Sequence, residues 1–270
     1  MKAVVLARGL ARRMKEDQPD AALDRDQAAA AGAGHKAMMP VGVGRRPFLD
    51  YILSSLADAG ASDVGLVIGP EHDAIRRRYE VDAPPRRSRV TFLVQEEPLG
   101  TANAVLAGEV WTVSDPFLVM NGDNLYPVPA LRDLVALETP GLPAFERDAL
   151  VRESNIPAER VAAFALLDVG ADGWLRAIVE KPGERAMAAA GGSALVSMNC
   201  WRFDARIYNA CRDVSRSARG EFELPEAVAL AVARGVAFRA VPARGAVLDL
   251  SRRTDVADVA RRLAGIEPQP

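Results

Sequence analysis

The sequence has only two cysteines, Cys200 and Cys211, among its 270 residues. Two thiols cannot build a disulfide framework, and their spacing is not that of zinc ligands. The formal net charge of -2 gives no support for a nucleic-acid or membrane-surface partner. The first apolar stretch ends at Arg8, which is too short for a signal-peptide core or a membrane span. We therefore expect a cytoplasmic protein that binds neither nucleic acid nor a membrane.

Two common nucleotide-binding motifs are also missing. Ala11 and Met14 stand where a Gly-x-Gly-x-x-Gly motif would need glycines, which argues against a dinucleotide oxidoreductase. The same loop lacks the Gly-Lys-Ser/Thr of a Walker NTPase. The sequence shows no hexapeptide repeat, so a β-helix domain is not expected. At 49% hydrophobic residues, the chain still has enough apolar material for one large α/β domain or two small ones.

Short apolar runs alternate with segments of helical period, a pattern that predicts a mostly parallel sheet covered by helices. After Pro140 the pattern changes, because two longer predicted strands flank the turn residues 170–173. We expect an antiparallel addition there. The predicted strands are residues 3–6, 64–68, 90–94, 117–120, 161–168, 174–180, 236–241 and 246–250. One predicted helix begins at Phe48, and another, at residues 71–80, is a surface helix with a solvated stripe of Ile75 and Tyr79. The remaining predicted helices span residues 102–110, 204–211, 224–233 and 255–263.

The alanine-rich segment 17–34 separates the first loop from Lys36. Its composition favours a surface helix over a lid that closes on a substrate. Residues 266–270 are expected to be frayed.

Several polar motifs follow the predicted strands in a fixed order. They are Leu-Ala-Arg-Gly-Leu-Ala-Arg-Arg-Met at 6–14, His-Lys-Ala-Met-Met-Pro-Val at 35–41, Gln-Glu-Glu-Pro-Leu-Gly-Thr-Ala at 95–102, Asn-Gly-Asp-Asn at 121–124, Glu-Lys-Pro at 180–182 and Val-Leu-Asp-Leu-Ser at 247–251. Their identity and order resemble those of the sugar nucleotidyltransferases, enzymes that join a nucleoside triphosphate to a sugar 1-phosphate.

The resemblance implies a Rossmann-like, three-layer αβα sandwich with a mostly parallel mixed sheet, the GT-A-like fold, and a small antiparallel sugar-binding addition. It implies one domain over residues 1–265, with a nucleotide-binding part at 1–138 and a sugar-phosphate-binding part at 139–265. The partners implied are a nucleoside triphosphate and a sugar 1-phosphate, with Mg²⁺ as cofactor; a homo-oligomer is left open.

Arg13, Lys36 and Asp123 are the catalytic candidates. Lys36 offers a point charge and Arg13 a fork of donors, which together would neutralise charge on the reacting phosphates. By resemblance, the nucleotide lies against Leu6, Ala7, Gly9, Gln95, Gly100 and Thr101. An amide such as Gln95 can donate to and accept from a base edge, and Gly100 lets backbone lie close to a ring. Without that ligand, Thr101 would be only a helix cap.

Asp123 and Asp249 are implied to bind the metal together, since two carboxylates suit a hard cation that keeps water and phosphate oxygens as ligands. Asp249 could instead be a surface residue or a cap. The sugar phosphate is implied to contact Glu180, Lys181, Asn199 and Glu221.

The chain departs from the family pattern in two places. Ala11 and Arg12 replace a glycine and a hydroxyl residue in the first loop, and Ser-Arg-Arg at 251–253 replaces Gly-Thr-Pro. Two alternatives therefore stay open: a binding protein without turnover, and transfer to another phosphorylated acceptor. The base and sugar are not fixed, although Leu-Gly-Thr-Ala favours uridylyl or guanylyl over thymidylyl transfer by resemblance.

Overall fold

The computed structural model describes residues 1–9, 11–16 and 21–270. Thirteen helices occur in these residues. They are α1 (Arg12–Lys15), α2 (Arg25–Ala33), α3 (Phe48–Asp58), α4 (Asp73–Arg77), α5 (Thr101–Leu106), α6 (Glu109–Thr112), α7 (Val128–Ala136), α8 (Arg147–Glu153), α9 (Ala158–Val161), α10 (Gly183–Ala190), α11 (Arg206–Asp213), α12 (Leu224–Ala233) and α13 (Asp255–Arg262).

Fourteen strands occur in the same described ranges. They are β1 (Lys2–Leu6), β2 (Pro40–Val41), β3 (Arg46–Pro47), β4 (Asp63–Ile68), β5 (Arg89–Val94), β6 (Phe117–Asn121), β7 (Asn124–Leu125), β8 (Gly141–Glu146), β9 (Ala165–Val169), β10 (Leu175–Val179), β11 (Leu195–Ser197), β12 (Cys200–Phe203), β13 (Arg239–Ala243) and β14 (Leu248–Asp249).

One ten-stranded mixed sheet runs through the molecule in the order β10-β9-β11-β8-β12-β6-β1-β4-β5, with β13 beside β8. The part formed by β6, β1, β4 and β5 is parallel. The strands β8 to β12 pair antiparallel, and β12 pairs with β6. The predicted antiparallel addition is therefore a continuation of the same sheet.

The two faces of the sheet are covered by different helices, because successive strand residues point to opposite sides. In β1, Val5 joins a core formed with α3, α7 and α13, whereas Val4 joins a core formed with α5, α11 and α12. The predicted three-layer αβα sandwich is confirmed. None of the helices in residues 1–9, 11–16 and 21–270 combines the length and apolarity that crossing a membrane requires.

The predicted solvated stripe at Ile75 and Tyr79 is wrong. The two side chains are 1% and 3% exposed, and the Tyr79 hydroxyl donates to Asp50 Oδ1 at 2.7 Å. The spacing correctly placed both residues on one face, but that face points inward because Asp50 on α3 supplies a buried acceptor.

Other boundaries differ locally. The predicted helix 102–110 is split into α5 and α6 near Gly108, and the predicted strand from residue 161 begins only at β9. The alanine-rich segment forms α2, while residues 17–20 lie outside the described residues. Residues 266–270, predicted to fray, are hydrogen-bonded: Arg86 N and Arg87 N donate to Pro270 O at 2.8 and 3.0 Å.

Candidate functional site

A cleft of about 400 Å³ opens where β1 and β6 end. The carboxyl ends of parallel strands are where open α/β sheets place ligands. Twelve of the sequence-predicted site residues line it, namely Leu6, Ala7, Gly9, Arg13, Lys36, Gln95, Gly100, Thr101, Asp123, Asn199, Glu221 and Asp249. Glu180 and Lys181 are not among the described residues that line this cleft.

Gly122 brings the Asp123 loop against the first loop. Its N–H donates to Leu6 O at 2.9 Å, and a Cβ at this position would lie 2.9 Å from Leu6 O and 3.1 Å from Ala7 Cα. No larger residue fits without moving one of the two loops. The glycine therefore sets Asp123 beside the end of β1.

Lys36 and Asp123 meet across the cleft. Lys36 begins a 3₁₀ turn, Lys36–Met38, and its Nζ lies 3.0 Å from Asp123 Oδ2. Both side chains keep partial exposure, 18% and 26%. A cation and a carboxylate in contact on the wall of an open cleft are available to a charged ligand.

Arg13 reaches the cleft from the short helix α1. The turn before it requires a positive φ of 51° at Ala11, the position where the resemblance implies a glycine. The structure thus keeps the backbone conformation that glycine favours and imposes it on alanine, at a cost of about 1–2 kcal/mol. The replacement does not remove the loop from the cleft, because Gly9, Ala11 and Arg13 all line it.

Asp249 is positioned by the small sheet of β7 and β14. Its register partner is Asn124, whose Nδ2 donates to Asp249 Oδ2 at 3.3 Å. Asn155 fixes the backbone of Asp249 through two hydrogen bonds of 2.8 Å, one donated and one accepted. Leu250 N donates to Asp123 O at 2.9 Å, which holds the two loops together.

Asp123 and Asp249 fit a divalent cation. Asp249 Oδ1 is buried and, among the described residues, has no hydrogen-bond partner; its nearest cation is Arg160 NH2 at 3.6 Å. Burial, and after it the nearby charge of Asp123, raises the pKa of the Asp249 carboxyl, whereas Arg160 opposes the shift. Another cation would relieve the repulsion between the two carboxylates. The described residues contain no group of three or more His, Cys, Asp or Glu side chains placed to hold a metal ion. Water and ligand oxygens would therefore complete the coordination of the cation.

Gln95 directly follows β5 and is buried, with 4% exposure. Its Nε2 donates to Gly100 O at 3.1 Å and to Asn103 Oδ1 at 2.8 Å. The two amide donors are thus used within the protein, and the carbonyl oxygen Oε1 remains as the acceptor. This fixed orientation suits recognition of a group that donates a hydrogen bond.

Gly100 and Thr101 join the Gln95 loop to residues 221–224. Gly100 has φ 116°, and a Cβ there would lie 2.5 Å from Phe222 O. Thr101 Oγ1 accepts from Leu224 N at 2.9 Å instead of capping its own helix. The close approach that the glycine permits is therefore to protein backbone, and it couples the loop that bears Glu221 to the one that bears Gln95.

Part of the cleft wall carries amide and carboxylate groups, from Asn199 and from residues 219–221. Asn199 has φ 57°, a conformation that asparagine tolerates better than most residues, and its Oδ1 is buried without a hydrogen-bond partner among the described residues. Arg219 lines the cleft beside Glu221 and its Nε donates to Glu223 Oε1 at 3.2 Å. Unmatched acceptors of this kind suit the hydroxyl groups of a sugar.

Glu180 and Lys181 are linked to Arg219 and the cleft through Glu223. Lys181 Nζ lies 3.7 Å from Glu223 Oε1 and 3.9 Å from Glu180 Oε1. Burial raises the pKa of the Glu180 carboxyl, and Lys181 opposes that shift. Arg219, which the sequence motifs did not single out, is nearer to the cleft because it both lines it and binds Glu223.

Sequence reasoning also missed Arg8, Arg160 and both histidines, all of which line the cleft. Arg8 had a signal, because it stands between Ala7 and Gly9, two residues that the resemblance assigns to the nucleotide. His35 and His72 meet edge to face with their ring centroids 5.6 Å apart. Their proximity depends on the fold, since 37 positions separate them, and no local pattern predicts it.

A family model described as nucleotidyl transferase matches residues 32–263, which is most of the chain. The chain belongs to the nucleotidyl transferase family. A glucose-1-phosphate thymidylyltransferase of Streptomyces antibioticus is 28% identical over 85% of this chain and 61% of its own length. UTP–glucose-1-phosphate uridylyltransferase AglF of Haloferax volcanii is 27% identical over 97% of this chain and 96% of its own length. This chain thus spans less than two thirds of the Streptomyces protein and nearly all of the Haloferax one.

Solved structures of this nucleotidyl transferase fold superpose on the chain. A UDP-glucose pyrophosphorylase complexed with UDP-glucose has a TM-score of 0.73 at 15% identity, covering 97% of each chain. A UTP-bound UGPase from Acinetobacter baumannii has a TM-score of 0.74 at 18% identity, covering 99% of this chain and 94% of that one. The two comparisons agree with the GT-A-like fold predicted from the motifs.

Proposed function

We propose that this protein transfers a nucleotidyl group from a nucleoside triphosphate to a sugar 1-phosphate, giving a nucleoside diphosphate sugar and pyrophosphate. The observation that carries the proposal is the joint position of Lys36, Asp123 and Asp249 at one end of the parallel strands, within the family's fold. The named relatives, which act on glucose 1-phosphate by their names, support the same reaction class.

The reaction is an in-line displacement. An oxygen of the sugar 1-phosphate attacks the α-phosphorus of the nucleotide, and the bond from that phosphorus to the pyrophosphate oxygen breaks. Lys36 and Arg13 hold phosphate oxygens and stabilise the charge that develops on the leaving group. Because positioning and charge stabilisation suffice, the reaction needs no nucleophilic side chain and no covalent enzyme intermediate.

Asp123 and Asp249 are the residues that would hold Mg²⁺. The ion would supply positive charge to the phosphates that the two carboxylates alone would repel. Asn124 and Asn155 position Asp249, and Lys36 positions Asp123. Asn199, Glu221 and Arg219, which all line the cleft, bind the sugar phosphate, and Glu180 and Lys181 support them through Glu223.

The test is a pyrophosphate-release assay with four nucleoside triphosphates and several sugar 1-phosphates, with and without EDTA. We expect Mg²⁺-dependent release with one preferred pair, and a loss of about 100-fold or more in Asp123→Asn. Asp133→Asn, at an exposed carboxylate on α7, is the matched control and should keep wild-type activity.

Two results would replace the proposal. Nucleotide-induced thermal stabilisation of the folded protein without release across the whole panel would indicate a binding protein without turnover. Release only with a phosphorylated alcohol that is not a sugar would indicate a different acceptor class. If the folded protein shows no pyrophosphate release and no nucleotide-induced stabilisation, the nucleotidyl-transfer proposal is rejected.

A further inference from the structure

Arg8 belongs to the first loop, and its side chain reaches the residue that follows β5. Its NH1 donates to the backbone oxygen of Gln95, and its NH2 lies 3.4 Å from Glu71 Oε2. The Arg8 side chain is only 8% exposed, whereas that of Glu71 is 56% exposed. Arg8 and Gln95 both line the cleft. The Arg8 side chain thus reaches from the β1 loop to Gln95, the residue after β5, although β4 lies between β1 and β5 in the sheet.

The hydrogen-bonding capacity of this arginine is under-used. A guanidinium has five N–H donors. Within the described residues, Nε is buried without a partner, and the partner of NH2 is a distant, mostly exposed carboxylate. Burial removes the water that would otherwise satisfy these donors, so a ligand oxygen would gain a strong hydrogen bond here. Glu71 competes only weakly for the Arg8 donors, because its own side chain is mostly exposed and 3.4 Å is long for a hydrogen bond.

The position of Arg8 indicates which part of a nucleotide it would meet. Gln95 follows β5 and Asp123 follows β6, and the strands β4 and β1 lie between β5 and β6 in the sheet. Three strand spacings amount to about 14 Å. If the phosphates lie at Lys36 and Asp123, the nucleoside can extend toward Gln95, away from the acceptor end at Asn199.

We propose that Arg8 and Gln95 together read the edge of the nucleobase, with Arg8 donating to a keto oxygen and Gln95 Oε1 accepting from the neighbouring ring N–H. The proposal rests on the nucleotidyl-transfer function proposed above. Uracil, thymine and guanine each present a keto oxygen beside a ring N–H. Cytosine and adenine present an amino group beside an unprotonated ring nitrogen. The amino donor would then face the Arg8 donor, and the ring nitrogen, an acceptor, would face the Gln95 Oε1 acceptor.

Selectivity follows from the burial of the two protein groups. A base of the wrong pattern leaves both the Arg8 donor and the Gln95 acceptor desolvated and unpaired, and this penalty discriminates more strongly than a lost contact with water nearby. Arg8 is therefore a specificity-determining residue that a side chain without a hydrogen-bond donor cannot replace. Asn103 serves as a positioning residue, because it occupies the Gln95 amide donor.

The experiment is isothermal titration calorimetry with UTP, dTTP, GTP, CTP and ATP in Mg²⁺ buffer without a sugar phosphate. We expect wild type to bind at least one keto nucleotide about 10- to 100-fold more tightly than CTP and ATP, the range for one charge-assisted hydrogen bond. Arg8→Ala should lose that preference by weakening the keto nucleotides alone. Arg77→Ala, the same change at an exposed arginine on α4, should keep it.

Analogues separate the two contacts. Of 2-thio-UTP and 4-thio-UTP, one should bind more weakly than UTP to wild type and equally to Arg8→Ala, because sulfur is a poorer acceptor. N3-methyl-UTP should lose affinity for both proteins, because it removes the donor to Gln95. Arg8→Lys keeps the charge without the fork and should retain only part of the preference, which guards against misfolding of the alanine variant.

Retention of the wild-type preference by folded Arg8→Ala, or of the full, undiminished preference by Arg8→Lys where the alanine variant does not fold, would overturn the inference while leaving the transferase proposal intact. Preferential binding of CTP or ATP by wild type would also overturn it. No binding of any nucleotide by wild type would instead reject the proposed function, and the inference with it.

Discussion

Lys36 Nζ and Asp123 Oδ2 form a 3.0 Å ion pair between residues 87 positions apart. The pair joins the 3₁₀ turn after the alanine-rich helix to the loop after β6. It places a fixed cation beside a carboxylate proposed to bind metal, so the charges that a triphosphate would meet are assembled on one wall of the cleft. In the proposed reaction, Lys36 would bind phosphate oxygens as well as orient Asp123.

Lys36→Ala should lower kcat of pyrophosphate release by about 100- to 1,000-fold, because it removes a donor aimed at developing charge. Lys36→Arg should recover part of the loss, since it restores the charge with a different shape. Steady-state kinetics at saturating Mg²⁺ checks both. An alanine variant within twofold of wild type would remove Lys36 from the mechanism.

Gly100→Ala should disturb the protein more than a positive φ alone explains. Its Cβ would lie 2.5 Å from Phe222 O, whereas Gly235 has φ 86° and open space around its Cα. Gly235→Ala should therefore cost only the conformational strain of about 1–2 kcal/mol. Gly100→Ala should cost more and should raise KM for the sugar phosphate by shifting the loop of Glu221.

Denaturant unfolding and substrate kinetics test the pair of glycine variants. Equal losses of stability in the two, with an unchanged KM in Gly100→Ala, would contradict the coupling between the two loops.

Asp50 should be a major contributor to stability. It is 1% exposed and is contacted by the Tyr79 hydroxyl at 2.7 Å, Arg78 NH2 at 2.9 Å and Arg46 Nε at 3.1 Å. Asp50→Ala should destabilise by about 3–5 kcal/mol, because it leaves buried donors and charge unpaired.

Asp58→Asn is the matched comparison on the same helix. Asp58 is 43% exposed and pairs with Arg87 NH2 at 2.7 Å, so its loss should cost no more than about 1 kcal/mol. Chemical denaturation of the two variants should separate them clearly, and similar free energies of unfolding would refute the assignment.

The two histidines should make stability fall in mild acid. Burial is the main cause that lowers the pKa of both His35 and His72 below 6.5; Lys15 adds to both effects and Glu71 opposes them. The unfolded chain therefore takes up protons more readily than the folded one. Their contribution is fully present above pH 6.5 and is lost as the pH falls from there toward the lowered folded values.

Thermal unfolding between pH 7.5 and 5 measures this loss. His72→Gln should reduce the slope in that window, because a neutral side chain replaces one of the titrating groups. A slope unchanged in His72→Gln would assign the acid sensitivity to other residues.

The sequence predicted twelve of the residues that line the cleft, because their placement depends on local order. Apolar runs locate β1 and β6, and residues just after parallel strands share one edge of the sheet. Asp123 and the first loop are therefore close because each follows a parallel strand, and both strands can be recognised in the sequence. Asp249 required the resemblance, since its strand β14 has only two residues.

Contacts between distant side chains could not be predicted in the same way. Gly100 was expected to face a ring, but Phe222, 122 positions later, fills that space. The direction of Tyr79 depended on a carboxylate on another helix. Such pairings are settled by packing after the elements form, and a single sequence carries no periodic signal for them.

The antiparallel contact between β6 and β12 has a consequence for dividing the chain. Phe203, Arg202, Trp201 and Cys200 pair with the whole apolar run from Phe117 to Met120. A fragment that stops at residue 138 would contain every strand of the parallel part, yet it would present this run as a bare edge to solvent. Exposed apolar edges recruit other strands. Residues 1–138 are thus expected to aggregate when expressed alone, because β12, which lies later in the chain, protects this edge in the full structure.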